Sequence, residues 1–413
     1  MIQVDLLEKS GFKKAVPYFL IMGVSALLIL TFSSPGSASE STPPIKIGVL
    51  YPLVGLHAYL GKAQVEGVKL FFEKKGYKIA DRDIQLIIED TEGNPDTGLM
   101  KARKLIEKDK VHILLGIVVS SVAYAVRDTV HSNRTPLLIT MANAAGMTRD
   151  RRSPYIFRSY QADGTAMYYA SQYVHEKMGS RKAIFSGPDY AYGHENAEAF
   201  RKGFQKSGGE VLKEIFVPLG TKDFGPYLTL ISQFGGKADT LAFVYGGSDS
   251  IKFVKGLDEY RVKDKFRVLI NLGATGPGTQ LKEEGKAALG IYSIDMVYSN
   301  LNSPVTKEFL ALVKEKYGYY DFNHHWGYLG AEVVGRALEQ IRGNIEQKDK
   351  FLEALRNVRF ESINGPFEFD HQGQNAIVNF YILRNEMVGG QVDQVLVDVL
   401  PKRRDPWWLD QQW

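Results

Sequence analysis

Residues 101–148 read KARKLIEKDKVHILLGIVVSSVAYAVRDTVHSNRTPLLITMANAAGMT, and this stretch decides the fold. A helix rich in basic residues leads into a buried strand, which the apolar run predicts over residues 111–118. Ser120 and Ser121 follow, then a second helix, a second short apolar strand and a loop of small residues at 142–146. Near-continuous apolar strands separated by helices are typical of a parallel sheet covered on both faces.

Both predicted strands end on small or polar residues, an arrangement that favours a backbone-lined pocket for an anion. Free N–H groups at the start of a helix attract anions, and Ser120 and Ser121 lie where the second helix begins. The same serines could instead cap that helix with their side chains. The stretch contains no nucleophile paired with a base, so it indicates a binding site and not an enzyme.

The alternation of strand and helix continues over residues 45–290, which is enough for two sheets and predicts two α/β lobes. The rhythm then changes to three predicted helices over 304–317, 328–341 and 348–357, followed by a hairpin at 367–383. The chain is therefore expected to cross between the lobes three times. Such crossings form a hinge that lets two lobes close on a ligand.

The N-terminal segment predicts a signal peptide over residues 1–39. Lys9, Lys13 and Lys14 form a positive segment, residues 15–32 are apolar and uncharged, and residues 37–39 are the small residues that signal peptidase requires. We expect cleavage near residue 39 and a periplasmic protein, with a short membrane anchor as the alternative. The chain has no cysteine, which excludes a lipoprotein anchored at cysteine and any disulfide framework.

The net charge of +4 at pH 7 describes a mixed surface and argues against a nucleic-acid partner. Lys402, Arg403 and Arg404 form a short basic cluster, which we interpret as a solvated chain end. Trp407, Trp408 and Trp413 follow it, and the sequence predicts for them only that they pack back on the surface.

Several segments resemble one family in the order in which that family carries them. From Ile45 to about Arg384 the chain resembles the type I periplasmic substrate-binding proteins of ABC importers, in the branch of the leucine/isoleucine/valine-binding protein. The matching segments are IKIGVLYPLVG (45–55), KARKLIEKDKVHILLG (101–116), TPLLITMANA (135–144), YIFRSYQAD (155–163), DYAYG (189–193), ADTLAFVYGG (238–247) and INGPFEFDHQG (363–373).

The resemblance implies an α/β fold of two Rossmann-like lobes joined by a three-segment hinge. It places the domain boundaries as follows: 45–162 plus about 296–374 in the N-terminal lobe, 163–295 plus about 375–400 in the C-terminal lobe, and 401–413 in a C-terminal tail. It implies a monomer that captures a small carboxylate by hinge closure and delivers it to the membrane permease and ATPase of an ABC importer. A sensor that presents its closed form to a signalling receptor is the alternative.

The resemblance also implies the site residues. Ser120 and Ser121 match the serine-rich strand end that binds the ligand carboxylate, and Ala142 and Asn143 match the adjacent loop. Asp163 matches the acid that meets the ligand amino group. The second lobe contributes an aromatic residue and a further cleft edge, matched by Tyr192, Tyr245, Gly246 and Gly247.

One departure from the family bears on the ligand. Amino-acid binders of this family carry a glutamate after the last strand of the second lobe, whereas residues 271–275 here read NLGAT. A zwitterion would have only Asp163 as a counter-charge, and a buried ammonium with too few acceptors is costly. The segments 95–130 and 189–193 also resemble the branch that binds aromatic acids. The ligand is therefore either an amino acid or an aromatic or aliphatic acid without an amine.

Three remaining motifs predict no cofactor. His324 and His325 are adjacent and have no third ligand at a standard spacing, so we expect no metal. The glycine-rich run 273–278 lacks the Gly-Lys-Ser/Thr ending of a phosphate loop, and no Gly-x-Ser-x-Gly elbow is present.

Asp163 could also act as a helix N-cap and nothing more.

Overall fold

A computed structural model describes residues 42–409. The predicted signal peptide and Trp413 lie outside the described residues. Six strands form the first sheet: β1 (Ile45–Tyr51), β2 (Lys78–Ile79), β3 (Arg82–Asp90), β4 (Ile113–Gly116), β5 (Leu137–Ile139) and β6 (Ile156–Arg158). Their spatial order is β2-β3-β1-β4-β5-β6, and all neighbours are parallel except β2 and β3.

Nine strands form the second sheet: β7 (Lys182–Pro188), β8 (Glu210–Val217), β9 (Thr240–Val244), β10 (Val268–Leu272), β11 (Tyr292–Asp295), β12 (Arg359–Ser362), β13 (Gly365–Phe369), β14 (Ala376–Val388) and β15 (Gln391–Arg403). The order is β12-β13-β14-β11-β10-β9-β7-β8, and β15 pairs with β14. Strands β7 to β11 are parallel, whereas β14 is antiparallel to β11, β13 and β15.

Within residues 42–409, eleven α-helices connect these strands: α1 (Ala58–Lys74), α2 (Pro95–Arg103), α3 (Ser120–Ser132), α4 (Thr165–Glu176), α5 (Ala191–Lys206), α6 (Gly225–Ser232), α7 (Gly247–Glu259), α8 (Thr279–Glu284), α9 (Pro304–Tyr317), α10 (Asn323–Gln340) and α11 (Lys348–Arg356). The buried strands explain the architecture, because β1, β4, β5, β9 and β10 are apolar and almost wholly buried and must be covered on both faces.

Local sequence signals set several element ends. The side chain of Asn94 accepts hydrogen bonds from the N–H groups of Asp96 and Thr97, and Pro95 occupies the first helical position of α2. The predicted hairpin is confirmed, since β13 and β14 pair antiparallel. The helix predicted over 328–341 begins earlier than expected, because α10 starts at Asn323, where burial against neighbouring elements outweighs the weak local propensity.

The interpretation of the basic cluster 402–404 as a solvated end is wrong. Strand β15 extends to Arg403, and the guanidinium of Arg404 donates two hydrogen bonds, of 2.9 and 2.8 Å, to the buried carboxylate of Asp370. Arg403 lies over the ring of Tyr169 at 5.1 Å from its centroid. Arg403 and Arg404 are therefore held by cation–π and ion-pair contacts, whereas Lys402 is exposed.

Candidate ligand-binding site

The strand order of each sheet indicates where a ligand should bind. The parallel strands have the order β3-β1-β4-β5-β6 in the first sheet and β8-β7-β9-β10-β11 in the second. In each set, the strand that comes second along the chain, β3 or β8, lies at one end of the row, beside the strand that comes first. The direction in which successive strands are added to the sheet therefore reverses between β1 and β4, and between β7 and β9. Open α/β sheets bind ligands at such switch points, beyond the carboxyl ends of the strands.

A cavity of about 510 Å³ lies at these strand ends. Its walls are built from loops and helix starts of both sheets. The lining residues used below are Ser120, Ser121, Asn143, His57, Tyr59, Tyr160, Tyr190, Tyr192, Tyr245, Gly246, Gly247, Gly273, Gln280 and Phe322. The cavity therefore unites segments that are more than two hundred residues apart in the chain.

The first wall consists of Ser120, Ser121 and Asn143 at the ends of β4 and β5. The Ser120 hydroxyl accepts a hydrogen bond of 3.1 Å from the N–H of Ala144, which ties the start of α3 to the loop after β5. Neither serine caps α3, because Val119 is the N-cap and no side chain accepts from the first turn. The capping interpretation is thus wrong, and the side chain of Ser121 is exposed.

The second wall is aromatic. Tyr190 and Tyr192 follow β7, with ring centroids 6.0 Å apart, and the Tyr192 hydroxyl lies 3.4 Å from the carbonyl oxygen of Leu272. Tyr245 follows β9 and is buried, and its hydroxyl lies 2.8 Å from the Ser186 hydroxyl. Gly246 and Gly247 complete this wall at the start of α7, where Gly247 has φ of 64°. Glycine adopts this left-handed conformation without strain.

The lining carries no acidic side chain, lysine or arginine among the described residues. His57 is its one imidazole, and burial lowers the pKa of His57 although Asp249 acts in the opposite direction. Its tyrosines are neutral hydroxyls, since burial raises the pKa of Tyr59, Tyr192 and Tyr245. The side chains thus present a neutral surface to a ligand near pH 7.

Helix starts supply the polarity that the side chains lack. Residues at the N-terminal ends of four helices, α1, α3, α5 and α7, line the cavity, and none of the four has a side-chain cap. The first turn of a helix leaves N–H groups unsatisfied and carries a partial positive charge. Convergence of four such ends favours an anion in the cavity.

Two of the residues expected at the site do not line the cavity. Ala142 is buried behind the wall, where its N–H donates to the carbonyl oxygen of Ile117. Asp163 is also buried, and its backbone N–H donates to the carbonyl oxygen of Asn143 at 2.8 Å. Its carboxylate oxygen Oδ1 accepts from Asn196 at 3.1 Å. Gly164, not Asp163, is the N-cap of α4.

The charge of Asp163 bears on any role that it has. Burial, followed by repulsion from the Glu195 carboxyl, raises the pKa of Asp163 well above its usual range, against the opposite effect of Arg158. A carboxyl group whose pKa is raised by burial is a weaker counter-charge to a ligand ammonium. The expected pairing of Asp163 with an amino group stays a prediction.

Sequence reasoning missed several lining residues, and four of them are His57, Tyr59, Gln280 and Phe322. Each lies beside the start of a helix, at α1, α8 or α10, so the sequence signal for helix starts could have found them. Gln280 donates hydrogen bonds to the Ser250 hydroxyl and to the carbonyl oxygen of Gly273, which fixes its amide at the cavity wall.

The two adjacent histidines have separate partners. His324 Nε2 lies 2.8 Å from a carboxylate oxygen of Glu66, and His325 bonds the side chain of Asn364. Both histidines are buried in α10. Within residues 42–409, no group of three or more His, Cys, Asp or Glu side chains is placed to hold a metal ion.

Comparison with known proteins agrees with this architecture. The family model for periplasmic binding proteins matches residues 44–390. The chain belongs to the periplasmic binding protein family. It is 35% identical to the structure of an ABC transporter substrate-binding protein from Sphaerobacter thermophilus, with a TM-score of 0.84 and coverage of 88% of this chain and 99% of the other. The predicted two-sheet α/β fold is therefore confirmed.

Two further relatives differ in the ligand that their names give. A solute-binding protein from Rhodopseudomonas palustris BisB5, solved in complex with 3,4-dihydroxybenzoic acid, is 27% identical, with a TM-score of 0.82 and coverage of 88% and 99%. Leu/Ile/Val-binding protein homolog 6 of Brucella melitensis is 25% identical over 361 residues, which cover 86% of this chain and 91% of that protein. These relatives are binding proteins, and among residues 42–409 no helix is both long and apolar enough to cross a bilayer.

Proposed function

We propose that this periplasmic binding protein captures a small aromatic carboxylate that has no amino group, and that it has no catalytic activity. The observation that carries the proposal is the lining of the cavity, which combines four helix N-termini with no acidic side chain among the described residues. A carboxylate gains from these helix ends. A ligand ammonium would be desolvated there without a partner of opposite charge.

The carboxylate is assigned to the first wall. The start of α3 offers unsatisfied N–H groups beside the Ser121 hydroxyl and the side chain of Asn143, a residue that is 9% exposed. Hydrogen bonds from N–H groups to an ionised oxygen are stronger than those between neutral groups. The first wall can therefore bind the anionic end of the ligand without any lysine or arginine.

The ring of the ligand is assigned to the second wall. Tyr190 and Tyr192 of this wall line the cavity, and Tyr160, after β6, and Phe322 add two further rings. Aromatic pairs add stabilisation beyond the area that they bury. The relative that was solved with 3,4-dihydroxybenzoic acid supports this class of ligand.

The remaining steps follow from the two-sheet architecture. We assign the parallel strands of each sheet to one lobe, and the two lobes close on the ligand about the segments after β6, after β11 and between β13 and β14. A ligand that contacts both walls favours the closed state. The closed monomer delivers the ligand to the permease and ATPase of an ABC importer. Export by residues 1–39 would place the protein in the periplasm.

A matched pair of ligands tests the proposal. Phenylalanine and 3-phenylpropanoate differ only by the amino group, so calorimetry of both isolates the effect of the ammonium. We expect 3-phenylpropanoate, benzoate, 4-hydroxybenzoate or 3,4-dihydroxybenzoate to bind, and phenylalanine to bind at least ~10-fold more weakly than 3-phenylpropanoate. Tight binding of phenylalanine, leucine, isoleucine or valine would contradict the amine-free class.

Small-angle scattering with and without the bound acid tests closure. The radius of gyration should fall on binding if the lobes close. An unchanged radius at saturating ligand would retain the binding assignment and reject hinge closure.

A further inference from the structure

The C-terminal segment 404–409, which we call the tail segment, is anchored by a buried ion pair. Asp405 is 2% exposed and accepts two hydrogen bonds of 2.9 Å, from Nε and Nη2 of Arg149. Arg149 lies in the loop after β5 and is itself buried. The same carboxylate accepts from the N–H of Trp407 and so caps the short turn 406–408. The segment is therefore fixed to the first sheet across 256 positions of sequence.

One chain of bonds leads from the tail segment to Asn143. Arg149 Nη2 donates to the carbonyl oxygen of Asp163 at 2.9 Å, in the crossing between β6 and α4. The N–H of Asp163 donates in turn to the carbonyl oxygen of Asn143 at 2.8 Å. Asn143 lines the cavity. The position of its backbone thus depends on a residue that Asp405 holds in place.

A second chain leads to Ser120. Asn375, in the crossing between β13 and β14, donates to Asp405 at 3.3 Å and accepts from Arg158 at 3.3 Å. Arg158 Nη2 donates to the carbonyl oxygen of Ala144 at 2.5 Å, and the N–H of Ala144 donates to the Ser120 hydroxyl. Both chains start at one carboxylate and end at the first wall.

The rings of Trp407 and Trp408 also hold the tail segment in place. Arg149 lies over the ring of Trp407 and Arg152 over that of Trp408, at 5.5 and 5.0 Å from the ring centroids. A Cβ atom at Gly373 would lie 2.3 Å from Nε1 of Trp408, so the ring packs directly on the turn before β14. The tail segment therefore contacts the loop after β5 and the crossing between β13 and β14 together.

We propose that Asp405 and Arg149 are positioning residues for the ligand site, and that the tail segment sets the geometry of the first wall. Loss of the Asp405 charge frees the loop that carries Asn143 and Ala144, and the wall then loses the arrangement that a carboxylate requires. The effect on affinity rests on the proposed function, whereas the effect on the loop does not.

Two measurements on Asp405→Asn keep these effects apart. Hydrogen exchange of the ligand-free protein, read by mass spectrometry, should be at least ~10-fold faster in peptides that cover 142–149 and 161–165, and unchanged in α11. The Kd for 3-phenylpropanoate should rise at least ~10-fold at a temperature where the variant is folded. Glu346→Gln is the matched control, because it breaks the ion pair of another buried arginine, Arg82. Neither Arg82 nor Glu346 lines the cavity.

The outcomes separate the two proposals. Unchanged exchange at 142–149 in a folded Asp405→Asn variant overturns the positioning role, whatever the ligand. Faster exchange with an unchanged Kd also overturns it, since the first wall would then be independent of the tail segment. If the wild type binds none of the acids, the proposed ligand class fails while the exchange result still decides the positioning role.

A milder variant covers the case in which Asp405→Asn does not fold. Trp407→Ala removes the ring beside Arg149 and leaves the buried ion pair in place. It should accelerate exchange in the same peptides by a smaller factor, and equal exchange in Trp407→Ala and wild type would then contradict the proposal.

Discussion

The parallel strands of the two sheets follow the same order, but the residues at their ends bring different chemistry to the cavity. The first sheet contributes Ser120, Ser121 and Asn143, small polar residues beside a helix start. The second contributes Tyr190, Tyr192 and Tyr245, which are large and aromatic. The same backbone arrangement therefore serves two purposes, because the residues after each strand end differ while the position of the switch point does not.

The walls also have one feature in common, a carboxyl group buried behind them. Asp163 lies behind the first wall. Glu284 is buried one turn of α8 after Gln280, which lines the cavity from the side of the second sheet. Burial raises the pKa of both groups, to about 9 for Glu284. Burial therefore disfavours the ionised form of both groups. The following substitutions test this comparison.

The largest effect is expected at the first wall. Ser120→Phe places a phenyl ring at the start of α3, where the carboxylate is proposed to bind, and should abolish binding, by at least ~1000-fold in Kd or about 4 kcal/mol. Calorimetry with 3-phenylpropanoate measures the loss. Ser132→Phe, at the exposed other end of the same helix, is the control and should bind normally. Near-normal affinity of Ser120→Phe would remove the first wall from the site.

The buried acid of the second wall should make stability depend on pH. Glu284 has a folded-state pKa of about 9 against an ordinary value of 4.5, so its protonated form is favoured in the folded state. Stability from this group is complete below pH 4.5 and is lost as the pH rises towards 9. Relative to Glu284→Gln, the wild type should lose about 3 kcal/mol of unfolding free energy between pH 5 and pH 7.

Urea denaturation of both proteins at the two pH values measures this difference. Glu283→Gln alters the exposed neighbour and should shift the unfolding free energy by less than ~0.5 kcal/mol at either pH. A wild type and Glu284→Gln that respond equally to pH would show that Glu284 is not held neutral.

A smaller effect is expected at the aromatic wall. Tyr192→Ala removes a ring from the cavity and should raise the Kd for 3-phenylpropanoate by ~10–30-fold, or about 1.5–2 kcal/mol. Tyr192→Phe keeps the ring and loses only the long contact of the hydroxyl with Leu272, so its affinity should stay close to that of the wild type. Equal losses in the two variants would assign the role of Tyr192 to its hydroxyl and not to its ring.

The smallest effect is expected at Asp163. Asp163→Asn keeps the side-chain shape and the backbone bond to Asn143, and burial already disfavours the charge that it removes. The Kd for 3-phenylpropanoate should change by less than ~3-fold. A loss of 30-fold or more, measured by the same calorimetry, would restore the pairing of Asp163 with a ligand group and weaken the division between the walls.

The sequence could predict those parts of the site that local signals define. The apolar run before Ser120 and Ser121 marked the end of β4, and the small residues around Asn143 marked the end of β5. In an α/β sheet the ends of neighbouring parallel strands meet at one edge, so strand order places these residues together. The glycine pair 246–247 and Tyr192 were found through family resemblance and not through periodicity, because a single aromatic or glycine has many structural roles.

The sequence by itself determined the elements, since hydrophobic periodicity and capping residues such as Asn94 act within a few positions. Only the tertiary structure decided that Asp163 lies behind the wall, that Tyr59 and Gln280 reach the cavity, and that Asp405 pairs with Arg149. These features depend on burial and on contacts between distant segments. A carboxyl group has the same local sequence whether it is solvated, paired or buried, and its charge is set by the neighbours that the fold supplies.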